Sequence, residues 1–432
     1  MAFAKDCENK LRRKSWSLCG QMVPVVTSYK YLGLVFQSGV EVSDLPKRMA
    51  TERKVCLTRA YYAMRGFLSY TTIPLSIQTQ VTKASLLPVA TYGGELWGMC
   101  KTRCAGVQKE LNKVMRTMVG IWQCADKRGS PEALSRELGI SSIHEIGSGA
   151  RARLWSKSPT LKTVLRELRM NPMKSKSETW VTGSTSGIKL YSKGVEGFPK
   201  DFSLMKPEDL CTKLRNAISE DEKRKHGEQK VDVAAKKSFT VYLQSDYFAT
   251  RAFIDQSVGC LHLAQGVKLL VQCRVGGFLT GSRAKHFSGL VDSMGCQSCR
   301  RDDMKCSLPH ILLRCRMWVN PRKTMFSKLR HLETAVIFDS FNRLPVGSQT
   351  AMLLGGKVGE LRFEHWLGDP QSVQEPGFKI VAEFLMSVYD GLKQHIGESM
   401  IESRGPKGHG NLLNLAEPLQ ESEEPLDLDL DR

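Results

Sequence analysis

The sequence predicts an α+β protein, mainly α, with an N-terminal β-hairpin leading into a helical bundle and then a helical region that carries a small Cys/His knuckle. Three observations carry that expectation. Residues 1–36 alternate polar with apolar and are rich in β-branched and aromatic side chains. From Leu45 onward the apolar period lengthens to three and four residues. Four cysteine and histidine residues then cluster between 296 and 315.

In chain order, Ser15–Leu18 reads as a strand, Gly20-Gln21 as its turn, and 23–36 as further strand. Leu45, Met49, Cys56, Ala60, Ala63 and Phe67 share one face of a helix of about six turns. A second helix is expected after Ile73-Pro74, with the proline early, where its missing N–H costs nothing, and with Ile77, Val81 and Ala84 inward. A third carries Val107, Leu111, Val114, Met115, Met118, Val119 and Trp122. Ser130-Pro131 reads as an N-cap followed by an N1 proline, opening a short helix that stops at Gly139. A basic helix is expected over 150–169, and the Ser/Gly/Lys-rich stretch 173–205 reads as a linker. The resulting division is 1–36 hairpin, 37–172 helical bundle, 173–205 linker, 206–293 helical connection, 294–331 knuckle, 332–402 C-terminal helices and 403–432 acidic tail.

Charge narrows the class of partner. The chain of 432 residues has 63 Lys+Arg against 44 Asp+Glu, net +19. Residues 403–432 contain seven acids and three bases, a net of −4, so residues 1–402 hold +23. Such a field favours a polyanion, because each neutralised phosphate releases counterions. The longest apolar run, Leu261–Leu279, is interrupted by Lys268 and Arg274, so no membrane span is expected. The N-terminus places charges where a signal peptide needs an apolar core. The 13 cysteines therefore read as reduced thiols or metal ligands, and the compartment as intracellular, nucleus and/or cytoplasm.

Cys296-x2-Cys299-x10-His310-x4-Cys315 has the ligand types and spacing of a closed structural Zn2+ site. Cys306 lies inside the long central gap, either as a replacement ligand or as a spare thiol. Around it, residues 294–331 hold nine Lys+Arg and two acids, and Arg300, Arg301, Arg314, Arg316, Arg322 and Lys323 are candidate phosphate contacts. Lys47, Arg48, Arg53, Lys54, Arg59 and Arg65 are the corresponding candidates on the first long helix. Tyr92, Trp97 and Trp122 read as core residues rather than stacking platforms.

The run SYKYLGLVF at 28–36 resembles the primer-gripping strand pair of LINE-type (non-LTR) retrotransposon reverse transcriptases. "TYGGELWG" at 91–98 is similar to the thumb segment of that family, and Leu134–Ile140 to the helix end that follows it. Leu308–Trp318 is similar to the zinc-binding region beyond the thumb, although the gap from Cys299 to His310 is longer than the family's. The resemblance implies a thumb and zinc knuckle that hold RNA or an RNA–DNA duplex, with Lys30, Tyr31 and Gly33 at the primer grip. It further implies an upstream polymerase fragment as partner, and Mg2+ only where that fragment supplies a palm. The one Asp-Asp pair, Asp302-Asp303, sits in the knuckle, so this chain by itself is expected to be inactive as a polymerase. No P-loop and no Pro-Asp nuclease motif occurs. The alternative expectation is a stand-alone or domesticated zinc-containing RNA/DNA-binding adaptor.

Overall fold

The computed structural model describes residues 17–19, 21–22, 26, 28–31, 34–37, 44–121, 129–171, 179–193, 198–199, 201–228, 234–278, 280, 296, 299, 306–368 and 374–404. The architecture is α+β and predominantly helical, with two short antiparallel hairpins. The chain forms two compact units, Met1–Gly277 and Phe278–Arg432.

The first hairpin pairs β1 (Ser17–Leu18) with β2 (Gln21–Met22). Its turn is one residue earlier than expected: Cys19 takes the left-handed conformation at φ 52°, and Gln21 is already strand. In the second hairpin β3 (Ser28–Tyr31) pairs with β4 (Leu34–Gln37), with Tyr29 opposite Phe36 and Tyr31 opposite Leu34. Two residues join these strands, the loop length that a tight hairpin requires.

Helix α1 (Leu45–Ser69) is the first long element. Its buried face is Met49, Ala50, Arg53, Leu57, Tyr61 and Leu68, rotated from the expected face, so that Ala63 is exposed and Cys56 and Phe67 are half-buried. Long polar-tipped side chains explain the rotation. Arg53 and Tyr61 bury their stems and rings while their polar ends find partners; Tyr61 Oη meets Thr117 Oγ1 at 2.9 Å. The facing partner is α5 (Lys101–Val119), buried along Val107, Leu111, Val114, Met115, Met118 and Val119 as its period predicts.

Between them, α2 (Leu75–Val81) and α3 (Leu87–Thr91) are joined by a π turn, Thr82–Leu86. Pro88 lies just beyond this turn; a proline inside a helix removes one hydrogen bond and crowds the carbonyl four residues back, and the wider turn accommodates it. The helix starts directly after Ile73-Pro74 as read, with Pro74 as its N-cap. The inward side mixes Leu75 and Leu86 with polar Ser76, Gln78, Thr79 and Thr82, all buried, whereas Ile77 and Ala84, expected inward, are exposed. Gln78 is turned inward because its amide donates to the carbonyls of Phe67 (2.9 Å), Leu68 (3.0 Å) and Tyr70 (3.2 Å) at the C-terminal end of α1.

The Tyr70 carbonyl also accepts from Lys268 Nζ at 2.6 Å. Lys268, one of the two charges that interrupt the apolar run, is buried on α13 (Ala264–Arg274), and burial lowers its pKa to about 8. An unfolded lysine keeps its proton to about 10.4, so between these values the unfolded chain binds more protons and stability rises with pH. The expected gain between pH 7.5 and 10.5 is up to about 3 kcal/mol, and it should vanish in Lys268→Met when the two proteins are compared by denaturant titration across that range. Parallel pH profiles for the two proteins would show that the Lys268 charge carries no such cost.

Gly94–Trp97 forms α4, entered through Gly93 at φ 69°, and Trp97 is fully buried. Its C-cap, Gly98, meets Gly147 of α7 (Ile143–Lys157) so closely that a Cβ on Gly98 would lie 2.5 Å from the Gly147 Cα. The paired glycines let the "GELWG" turn and α7 touch backbone to backbone. Helix α6 (Pro131–Leu138) begins and ends as read, with the Ser130 hydroxyl accepting from Ala133 N–H at 3.2 Å and Gly139 left-handed. The basic helix expected over 150–169 instead begins at Ile143, behind a Ser142/Glu145 capping box, and stops at Lys157 before Pro159; α8 (Val164–Met170) is separate.

The expected linker, 173–205, contains helix α9 (Trp180–Ser192). Its Ile188 packs with Ala152, Trp155, Phe202, Leu210, Leu214 and Ile218 in one apolar core, and Ser184 is buried where it accepts from Arg151 Nε at 2.8 Å. Small residues there allow close packing rather than a free coil: a Cβ on Gly187 would lie 2.4 Å from the Met99 sulfur. The boundary between units accordingly falls at Gly277-Phe278 and not at 173–205. Helix α10 (Pro207–Glu228) packs on α7, α11 (Ala234–Gln244) packs on α6, and the short α12 (Phe253–Gln256) follows. In the second unit, α14 (Val319–Leu332) lies along the long α17 (Gly377–Arg404), with α15 (Ala335–Arg343) and α16 (Val346–Leu353) between them in sequence. Ser403 and Arg404 end α17, and residues 405–432 of the acidic tail lie outside the described residues.

Candidate metal centre and basic helix face

Four side chains separated by up to 19 residues in sequence converge in the second unit. One ligand atom each from Cys296, Cys299, His310 and Cys315 lies within 4.8 Å of all the others, a group that can hold one metal ion. The Cys296 and Cys315 sulfurs are 3.8 Å apart, and Cys299 Sγ is 3.5 Å from His310 Nε2.

Local structure explains the convergence. His310–Arg314 is a π turn and Cys315 is extended at its end, so the widened turn brings residues 310 and 315 to the same side. The Cys315 N–H donates to the His310 carbonyl at 2.7 Å, which closes the turn. Ile311 and Leu312 project into the core between them. Trp318 anchors the downstream side: Gly391 of α17 leaves room for its ring, and a Cβ there would lie 2.7 Å from the indole.

Cys306 is buried beside the cluster but outside the four mutually close atoms. Hydrogen bonds from Cys306 first, and then from Cys315, hold the Cys296 thiol far below the usual thiol range. The same Cys296 sulfur pushes the Cys315 thiol up. A divalent cation would take both as thiolates. Of the two readings left open for Cys306, the geometry favours the spare thiol that donates to a ligand sulfur.

Arg322, expected among the phosphate contacts, is instead buried at 9% exposure. Its guanidinium donates to the carbonyls of Leu312 (3.0 Å), Ile311 (3.3 Å) and Cys315 (2.5 Å). A side chain spent on three backbone acceptors beneath the surface cannot also reach a phosphate. Arg314, Arg316 and Lys323 are exposed beside the cluster, while Arg300 and Arg301 lie outside the described residues.

The second candidate surface is the outer side of α1. Lys47, Lys54 and Arg65 follow each other at helical spacing along one line, and Arg48 and Arg59 lie on the adjacent one; all are exposed except Arg65, which is half-buried. Tyr62, 49% exposed, stands between the two lines. Arg53 is the exception: it is buried, with Glu52 at 3.4 Å and its guanidinium 5.4 Å from the centre of the Tyr92 ring. Tyr92 is itself 44% exposed and so is not a core residue, in contrast to Trp97. Lys30 and Tyr31 belong to β3, and Gly33 and Trp122 lie outside the described residues.

Sequence reading missed two buried polar groups. One is the Gln78–Lys268 cap of α1. The other joins Glu137 to Arg274 at 2.8 Å, both wholly buried. A charge interrupting an otherwise apolar run was the available signal for both basic residues. No helix among the described residues is long and apolar enough to cross a membrane.

The fold and the cluster define a mainly helical chain with a largely buried Cys3His group able to hold a metal ion. The chain matches no protein-family model, no curated protein and no solved structure.

Proposed function

We propose that this chain binds nucleic-acid duplex as the primer-grip, thumb and zinc-binding part of a LINE-type reverse transcriptase. The observation that carries the binding is the outer face of α1, where Lys47, Arg48, Lys54 and Arg59 are exposed and Glu52 is the helix's one acid. A rigid helix with cations on adjacent lines can follow a phosphate backbone without reading bases. Arg314, Arg316 and Lys323 offer a second set of positive charges beside the metal group.

Zinc is the ion best suited to the cluster. Zn–S bonds of about 2.3 Å and Zn–N bonds of about 2.0–2.1 Å at a tetrahedral angle separate two sulfurs by about 3.8 Å, and sulfur from nitrogen by about 3.5 Å. The Cys296–Cys315 sulfur pair at 3.8 Å and the Cys299 sulfur–His310 Nε2 pair at 3.5 Å match these separations. Four protein ligands leave no open position, so the ion would supply folding energy and hold the Arg314–Lys323 surface in shape. No nucleotide-transfer step is assigned to these residues.

Charge reversal by Lys47→Glu, Arg48→Glu, Lys54→Glu and Arg59→Glu together tests the binding face. Fluorescence anisotropy with a labelled RNA–DNA hybrid should show affinity falling by at least about a hundredfold near physiological salt. The slope of log K against log salt should shrink by about 0.9 for each phosphate the variant no longer neutralises on B-form duplex, and slightly less on other forms. An unchanged slope would remove α1 from the interface.

A further inference from the structure

Arg322 poses an electrostatic problem that its hydrogen bonds do not solve. The residue is largely buried, at 9% exposure, and all three hydrogen-bond partners of its guanidinium are neutral backbone carbonyls. Among the described residues no carboxylate forms an ion pair with it. A charge removed from water and left without an opposite charge is costly, so buried cations are normally paired. The group one bond network away is the thiol cluster, because one of the three carbonyls belongs to Cys315 and the other two to the turn linking His310 to Cys315.

We propose that Arg322 is the built-in counter-ion of a tri-thiolate metal centre and the residue that positions two of its ligands. The inference rests on the metal reading above. A divalent cation held by three thiolates and one neutral imidazole has net charge −1, and a single buried guanidinium balances it. The same fork holds the 310–315 turn from its carbonyl side, so ligand spacing and charge balance come from one side chain. The arrangement also accounts for an arginine, where a lysine would offer no planar fork to reach three carbonyls.

The test uses full-length protein with zinc and cobalt as probes. Zinc affinity is measured by competition with a chromophoric chelator for wild type, Arg322→Gln and Arg322→Lys. Loss of the charge in Arg322→Gln should weaken zinc binding by about 10–100-fold, and Arg322→Lys should stay within about tenfold of wild type. In cobalt-loaded protein, removing a positive charge near the thiolates makes them easier to oxidise. The sulfur-to-cobalt charge-transfer band should therefore move to longer wavelength in Arg322→Gln and stay in place in Arg322→Lys. A purely structural brace would leave the band energy unchanged in both. Wild-type protein that takes up no zinc overturns the metal reading together with this inference. Wild-type protein that binds one zinc, with Arg322→Gln binding as tightly and its band unmoved, overturns this inference alone. Should Arg322→Gln fail to fold, cobalt-loaded Arg322→Lys decides by its pH profile: a band that holds its place while the amine is charged and moves to longer wavelength as the amine deprotonates supports the role, and a band that does not move with pH overturns it.

Discussion

Cys299→Ser should purify without the zinc that wild type retains, and its second unit should lose cooperative unfolding. Structural zinc sites contribute roughly 10–16 kcal/mol of apparent binding free energy at neutral pH. A quarter of that, about 3 kcal/mol, corresponds to a more than hundredfold loss of affinity for one missing ligand. The consequence reaches beyond the ion. Cys296 and Cys299 come from one stretch of chain and His310 and Cys315 from another, and a bound cation would tie the two stretches together. Chelation of wild type should therefore reproduce the variant's unfolding profile, and added zinc should reverse it. Metal stoichiometry by mass spectrometry and thermal unfolding followed by circular dichroism read both effects. Cys306→Ser is the matched control and should keep one zinc per chain, because its sulfur lies outside the four mutually close atoms. A Cys299→Ser protein still carrying one zinc, or a Cys306→Ser protein carrying none, would replace the proposed ligand set.

The second large effect lies in the first unit. Arg274→Met should destabilise it by about 3–5 kcal/mol, since removing one partner leaves the other charge buried and unpaired. Glu137 and Arg274 are both fully buried at 2.8 Å, and the Tyr242 hydroxyl donates to the carboxylate at 3.2 Å. The guanidinium also donates to the Tyr247 carbonyl and to Thr250 Oγ1, and it sits 4.8 Å and 5.0 Å from the centres of the Tyr247 and Phe253 rings. Burial pushes the Glu137 carboxyl above its usual range, against the pull of Arg274. Without Arg274 the carboxyl should therefore take up a proton in the folded state. Glu137→Gln combined with Arg274→Met should then recover much of the loss, because the double variant leaves no isolated charge. Denaturant titration of the four proteins gives the coupling energy, and strictly additive losses would show that the pair is not a unit.

Several elements were legible because the deciding interactions are local. The Ser130-Pro131 start and Gly139 stop of α6 depend on neighbours within the same helix. The inner face of α5 follows from a strong 3.6-residue period of aliphatic residues. The β3–β4 hairpin lies where aromatic and β-branched residues alternate. The four-residue metal group was readable from spacing, since C-x2-C and H-x4-C confine each ligand pair to one turn of chain.

Where the reading failed, distant partners decided. The face of α1 turned because Tyr61 meets Thr117 and Arg53 meets Tyr92. The supposed linker folds as α9 because a core formed by α7 and α10 accepts Ile188 and Ser184. Arg322 read as a surface cation because nothing local shows that three carbonyls of a π turn await it.

The sequence by itself determined the mainly helical class, the strong positive charge, the cap-defined helix ends and the Cys3His ligand types, all properties of composition or of neighbours a few residues apart. Only the tertiary structure decided which cations remain on the surface and which are buried as structural charges. The physical reason is that burial depends on what packs from across the chain: buried Lys268 meets the Tyr70 carbonyl and buried Arg274 meets Glu137, partners that no local spacing specifies.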